Sequence, residues 1–335
     1  MRGLRRLCLA SGARVTHGSV ASLGTAGIAC AGVVLTAAVV MACHGDSRRD
    51  DTAGDSATAR RQSDDGTGAV LDDFGDTVDT RGSAPMRIVS LNPATTQMVF
   101  AMGEGARVVG RTRWDTYPAA ALAAPDVGDG LRPNVEAVLA RHPDLVVVYA
   151  AADDRDAVRR FRGAGIKTLS VRNDRMVDFR RVLRLIGVAL HDRPRADAVA
   201  DSVDRSLAAT RAATMALTPV TAVWQIEISP LRVIGGGSYL TDLLTDAGGR
   251  NIYGAAPDPS PQVSLEDVLR RNPAVVLTTT VAAEALRADP RWRQWLSDPG
   301  HRVLVPDTAL VGMPSVRMGE AAAELARLLH PDLEH

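Results

Sequence analysis

Beyond residue 43 the chain has no cysteine: all three, Cys8, Cys30 and Cys43, lie in the N-terminal segment. A disulfide framework or a cysteine metal cage in the body is thereby excluded. An excess of one charge is also missing. The 39 Lys and Arg balance the 39 Asp and Glu, whereas a nucleic-acid binder would carry a basic surplus. Lys167 is the only lysine, in a composition biased toward Arg, Ala and Asp that points to no function by itself. Catalytic signatures are absent as well. There is no HExxH, no P-loop and no pair of spaced cysteines. The Gly-rich stretch at 235–240 (GGGSYL) is neither GxGxxG nor GxSxG, because Leu240 stands where the last Gly belongs; it reads as a turn into a helix capped by Ser238. The histidines are scattered, and no Ser/His/Asp set is suggested by spacing. The chain therefore reads as a non-enzyme. What it does have is core material: 46% apolar residues over 335 positions, enough for two ordinary domains.

The N-terminus carries Arg2, Arg5, Arg6 and Arg14, then an apolar stretch from about residue 20 to 42, then a strongly polar run. That order is a signal segment. The sequence Val40-Met41-Ala42-Cys43 resembles a bacterial lipoprotein processing site, which implies acylation of the Cys43 thiol and cleavage before it. Two or three acyl chains anchor a protein stably where one does not. Cys30, with Gly27 three residues before it, is the alternative site, and an uncleaved transmembrane helix is the alternative reading of the stretch. Either way the body is exported, and the lipoprotein reading holds it at the membrane. Residues 44–68 hold almost no large apolar side chain and read as a disordered tether of roughly 25–30 Å span.

In the body, apolar strands alternate with helices, the mark of parallel α/β layering. Residues 69–82 read as a hairpin around Gly75. Strands are expected at 87–91, 107–110, 145–149 and 166–171, with helices between them. From 176 to 217 the pattern is helical only, with a first helix at about 176–190 and a second from Pro194 that could reach Leu217, about 36 Å at 1.5 Å per residue. Alternation then resumes, ending in a helix at 315–329. An ungapped repeat decides the architecture: VEAVLARHPDLVVV at 135–148 matches LEDVLRRNPAVVLT at 265–278. Glu136 meets Glu266, Pro143 meets Pro273, and Asn134 or Ser264 precedes each copy as a cap. The expected plan is a signal peptide (1–42), a lipidated Cys43 with its tether (43–68), a first lobe (69–175), a helical bridge (176–217) and a second lobe (218–335). A cleft between similar lobes is a favoured ligand site.

The segments RIVSLNPATTQMVFAMG, GRTRWDTYP, VIGGGSYLTDLLTDAGGRNIYG, PQVSLEDVLRRNPAVVL and MPSVRMGEAAAELARLLHP resemble, in the same order, the periplasmic-binding family for cobalamin, ferric siderophores and haem. The resemblance covers about residues 69–331. It implies two Rossmann-like lobes joined by a single long α-helix, a ligand cleft between them, limited closure, and an ABC importer permease with its ATPase as partners. It also implies that a monomer delivers its ligand from the exported side of the membrane. In the cobalamin-binding member one glutamate on each lobe docks on permease arginines, and those positions match Glu136 and Glu266. A local role is compatible: a carboxylate in a helix first turn complements the dipole by about 0.3–1 kcal/mol.

Ligand contacts are expected from loops at the strand ends: 92–96, 110–118 and 128–134 in the first lobe, and Trp224, Gln225, Tyr239, 257–262 and 313–317 in the second. Trp114 and Tyr117 stand out because a flat macrocycle wants aromatic partners. The resemblance places an aromatic of the cobalamin-binding member at Trp114, and the iron-coordinating tyrosine of haem-binding members at Tyr117. Arg132, Trp224, Tyr239 and Ser260 complete the expected contacts. Core packing is an equal reading for Trp224, and a solvated role is the plainer one for any single arginine. The pattern departs at Gly130 and Ser260, where the cobalamin-binding member has tryptophans, at Gln97 for a usual glutamate, and at Ser315-Val316-Arg317 for Gly-Pro-Arg. Cobalamin is the first expected ligand, with haem or a ferric siderophore as alternatives.

Overall fold

The computed structural model describes residues 68–333. The signal segment, Cys43 and the tether up to residue 67 lie outside the described residues. An antiparallel hairpin, β1 (Ala69–Leu71) and β2 (Thr77–Asp79), comes first. Its turn uses Gly75 at φ +82°, a left-handed backbone that glycine adopts without steric cost.

The first lobe runs β3 (Ile88–Ser90), α1 (Pro93–Ala101), β4 (Val108–Gly110), α2 (Val135–Leu139), β5 (Leu145–Tyr149), α3 (Arg155–Gly163) and β6 (Lys167–Val171). The four strands are parallel in the order β4-β3-β5-β6. Two helices follow, α4 (Met176–Ala189) and α5 (Arg193–Thr214). The second lobe then runs β7 (Val220–Glu227), β8 (Arg232–Val233), α6 (Tyr239–Asp246), β9 (Gly249–Asn251), α7 (Leu265–Arg271), β10 (Val275–Leu277), α8 (Thr280–Ala288), α9 (Pro290–Trp295), β11 (Arg302–Leu304), α10 (Thr308–Val311) and α11 (Met318–Leu329). Its parallel strands take the order β9-β7-β10-β11, the same order as in the first lobe. β8 is an antiparallel addition at the far end of β7. Both sheets thus have the doubly wound order in which the second strand lies outside the first.

The repeat extends to the backbone. Asn134 accepts from the Ala137 amide, and Ser264 accepts from the Asp267 amide, the same cap 130 positions apart. Each copy ends on a left-handed residue just before its proline: His142 and Asn272, both at φ 47°. Asparagine and histidine are among the side chains that tolerate this region. The strand that follows shows why a run of apolar residues is needed. Leu145 and Val147 of β5 face a core shared with α4 and α5, while Val146 and Val148 face a separate cluster around Phe161. In β10, Val275 and Leu277 face the shared core and Val276 faces the cluster of Trp292 and Trp295. Period-two alternation with both faces buried gives a continuous hydrophobic strand.

The bridge expected over 176–217 is a packed helix pair, of which α5 is the long member, about 33 Å at 1.5 Å per residue. Its buried stripe, Ala196, Ala200, Val203, Leu207, Thr210 and Thr214, lies against α4 on one side and α11 on the other. Arg180 of α4 reaches Asp201 and Asp204 of α5 at 2.6 Å each. α5 stops at Thr214, short of Leu217. There Thr214 donates to the Asp246 carbonyl at 3.0 Å, and Arg211 grips the Asp246 carboxylate at 2.8 and 2.9 Å. One core therefore runs from Ile88 and Leu145 through the bridge to Leu243 and Leu325. The closing helix also differs from expectation. It begins at Met318, because residues 313–317 are drawn onto the first lobe.

Candidate functional site

In doubly wound sheets a ligand crevice forms outside the carboxyl ends of the strands, where the strand order reverses. Here those ends are the loops after β3 and β5 in one lobe and after β7 and β10 in the other. Residues 313–317 run between α10 and α11 and cross to the first lobe. Gln97 Nε2 lies 3.7 Å from Met313 Sδ, and Asn173 Nδ2 donates to the Pro314 carbonyl. The Arg317 guanidinium stands 4.5 Å over the Tyr117 ring while pairing with Glu320 at 2.8 Å. A second tie, Arg175 to Asp242 at 3.1 Å, joins the start of α4 to α6.

Trp114 and Tyr117 sit on the loop after β4. Buried Asp115 fixes that loop from inside: its Oδ2 accepts from the Thr112 amide at 2.8 Å and from the Thr112 hydroxyl at 2.6 Å. The Trp114 amide donates to the same hydroxyl at 3.2 Å. The loop is therefore held while its aromatics point outward, with Trp114 58% and Tyr117 39% exposed. Arg132 is also exposed, and Ser260 is half-buried in a turn whose Asp258 carboxylate accepts from the Ser260 amide at 2.9 Å.

Two of the expected contacts lie deeper than the others. Trp224 and Tyr239 are buried in the shared core. Trp224 follows Ala222 on the inward face of β7, and the Tyr239 hydroxyl donates to the Val311 carbonyl beneath residues 313–317. Gly130 explains a departure from the family pattern. A Cβ there would stand 2.0 Å from the Leu91 carbonyl oxygen, so a tryptophan does not fit this backbone.

Glu136 and Glu266 lie at equivalent first-turn positions of α2 and α7, and both are well exposed. Each meets an arginine of its own lobe, Arg160 at 2.8 Å and Arg291 at 3.4 Å. Such exposed pairs contribute at most about 1 kcal/mol and open readily. Among the described residues no group of three or more His, Cys, Asp or Glu is placed to hold a metal ion.

Sequence reasoning missed Asp154, in the turn between β5 and α3. It is buried, and neither carboxylate oxygen has a partner. Desolvation, with Asp153 adding repulsion, pushes its pKa up to about 6. Because the folded value lies above the unfolded one, its stabilising contribution is full below the unfolded pKa and is lost as pH rises through about 6. Asp154→Asn is therefore expected to stabilise the protein by about 1–3 kcal/mol at pH 7.5, and to have little effect at pH 3.5. Thermal melts of both forms at the two pH values check this.

Two repeated α/β lobes, tied through one core and crossed by residues 313–317, define a two-lobe solute-binding protein. The family described as periplasmic binding protein matches residues 88–295, more than half of the chain, and this protein belongs to that family. It is similar to the uncharacterized ABC transporter substrate-binding lipoprotein YvrC of Bacillus subtilis, with 30% identity over 274 residues, covering 78% of this chain and 86% of that one. It is also similar to the vitamin B12-binding protein of Salmonella paratyphi A, with 29% identity over 216 residues, covering 64% of this chain and 80% of the relative. Among solved structures, the periplasmic haem-binding protein RhuT from Roseiflexus sp. RS-1 shares the fold, with TM-score 0.64 and 24% identity, over 76% of this chain and all of that one.

Proposed function

We propose that this protein is the lipid-anchored, extracytoplasmic receptor of an ABC importer, which captures a corrinoid such as cobalamin and hands it to the permease. The observation that carries the reading is the braced loop that exposes Trp114 and Tyr117 opposite Arg317 of the other lobe. A corrin or porphyrin is flat and largely apolar with a polar rim. An aromatic platform with a guanidinium beside it suits that shape. The likeness to a vitamin B12-binding protein over most of its length supports the corrinoid as first ligand. Membrane attachment through Cys43 rests on the processing pattern and on the likeness to a lipoprotein. Glu136 and Glu266 are the docking points for the permease, one on each lobe.

Haem is the second reading, favoured by the exposed phenol of Tyr117, an oxygen ligand for ferric iron. Trp114→Ala is expected to weaken cyanocobalamin binding about ten-fold or more, since a central aromatic anchor commonly dominates an interface. Quenching of tryptophan fluorescence follows wild-type binding, and calorimetry compares the two forms. Equal affinity removes Trp114 from the site. Under the haem reading, haemin instead gives a shifted Soret band that Tyr117→Phe abolishes.

A further inference from the structure

Three buried amides near the carboxyl ends of the strands hold oxygens that no described residue satisfies. Gln97, Asn173 and Gln225 are only 3%, 6% and 6% exposed, and each has an amide oxygen without a partner. Their orientation follows from chemistry. The Asn173 amide nitrogen faces the Pro314 carbonyl, and the Gln225 nitrogen faces the Glu227 carbonyl at 3.5 Å; neither carbonyl can donate. The Gln97 nitrogen faces the Met313 thioether, a weak acceptor. The oxygens are thus what remains unpaired. Buried polar atoms in folded proteins nearly always have partners, so a group of orphans at one place needs a cause.

All three lie toward the carboxyl ends of strands: Gln97 in α1 after β3, Asn173 after β6, and Gln225 two residues before the end of β7. Gln97 and Asn173 meet consecutive residues, Met313 and Pro314, so the two amides lie close together beneath the crossing segment. The orphaned donors nearby belong to guanidinium groups that bond through their other nitrogens: Arg111 to the Thr112 carbonyl at 2.7 Å, and Arg175 to Asp242 at 3.1 Å. Acceptors with no alternative partner dominate.

The geometry points to a crevice floor of hydrogen-bond acceptors, Gln97, Asn173 and Gln225, that selects a chelate whose rim carries N–H donors over one whose rim carries esters or carboxylates. This rests on the corrinoid reading above and names the rim chemistry that the reading leaves open. The thioether contact and the bond to the Pro314 carbonyl occupy the amide nitrogens, which leaves the amide oxygens for the donors of a ligand. A site built to pair with N–H groups discriminates strongly against an analogue lacking them, because its own buried atoms are left unpaired.

The test compares two corrinoids with the same ring and metal. Dicyanocobinamide carries primary amides around the rim; dicyanocobyrinic acid heptamethyl ester carries methyl esters in their place. Calorimetry with the purified full-length protein in detergent is expected to show the amide form binding at least about ten-fold tighter. Asn173→Leu should shrink that ratio while leaving the affinity for the ester in place, which also shows that the variant is folded. Equal affinities, or tighter binding of the ester, overturn the acceptor floor and leave the corrinoid reading standing. Binding of neither corrinoid overturns both.

Discussion

Glu136→Lys combined with Glu266→Lys is expected to cut chelate uptake by cells about 100-fold or more, while the purified protein keeps its chelate affinity. The two glutamates sit outside the crevice, at the starts of helices that the repeat makes equivalent. Their side chains reach solvent and, among the described residues, pair with Arg160 and Arg291. A partner with two suitably spaced arginines can take over both contacts at little cost, because each internal pair is weak. Reversal places a lysine beside the resident arginine and toward the partner's arginines. Like-charge juxtaposition at an interface costs several kcal/mol, and here it acts twice. The fold should tolerate the change, since only exposed pairs and a helix-dipole contribution of about 0.3–1 kcal/mol are lost at each site. Uptake of labelled chelate, set beside calorimetry on the purified variant, separates docking from binding. Loss of chelate affinity in the variant would sink the docking assignment.

Gly236→Val is expected to lower the melting temperature by roughly 6 °C or more and to impair ligand binding with it. Residues 235–237 lie flat on the backbone of the loop that carries Ser260. The Gly235 amide donates to the Pro259 carbonyl at 3.1 Å and the Gly236 amide to the Ala256 carbonyl at 2.7 Å. A Cβ on Gly236 would meet the Gly254 carbonyl oxygen at 2.1 Å, and backbone cannot yield as a flexible side chain can. The loop must therefore move or the strand must. Circular dichroism melts follow the stability loss. A variant that melts with the wild type would mean that this close approach does not exist in solution.

These glycines show how far the sequence could be read. Their spacing ruled out a phosphate loop, and Ser238 does cap α6, accepting from the Leu240 amide at 3.3 Å. What they pack against is set by a loop about twenty residues away, which no local pattern reveals. The repeat was legible because caps, a helix-ending proline and an apolar run recur in register, and together they fix α2–β5 and α7–β10. The helices α8 and α9 and the short strands β9 and β11 gave weaker signals, since three-residue strands carry little periodicity. Trp224 was ambiguous for a physical reason. Parallel strands are buried on both faces, so alternation cannot say which side meets a crevice. Trp114 and Tyr117 were visible as aromatics in a turn-rich loop, but their exposure depends on the Thr112–Asp115 brace. The unpaired amides were hidden almost entirely. Gln97 stood out only as a departure from a family pattern, and Asn173 carried no signal, because orphaning is a property of packing.

The central claim is that the crevice captures a metal chelate, a corrinoid first. Calorimetric titration of the purified protein with cyanocobalamin, haemin and a panel of ferric siderophores tests it most directly. The account predicts saturable one-to-one binding of cyanocobalamin, tighter than any other member of the panel. Heat-silent titrations with every chelate, and no change in absorbance, would contradict it.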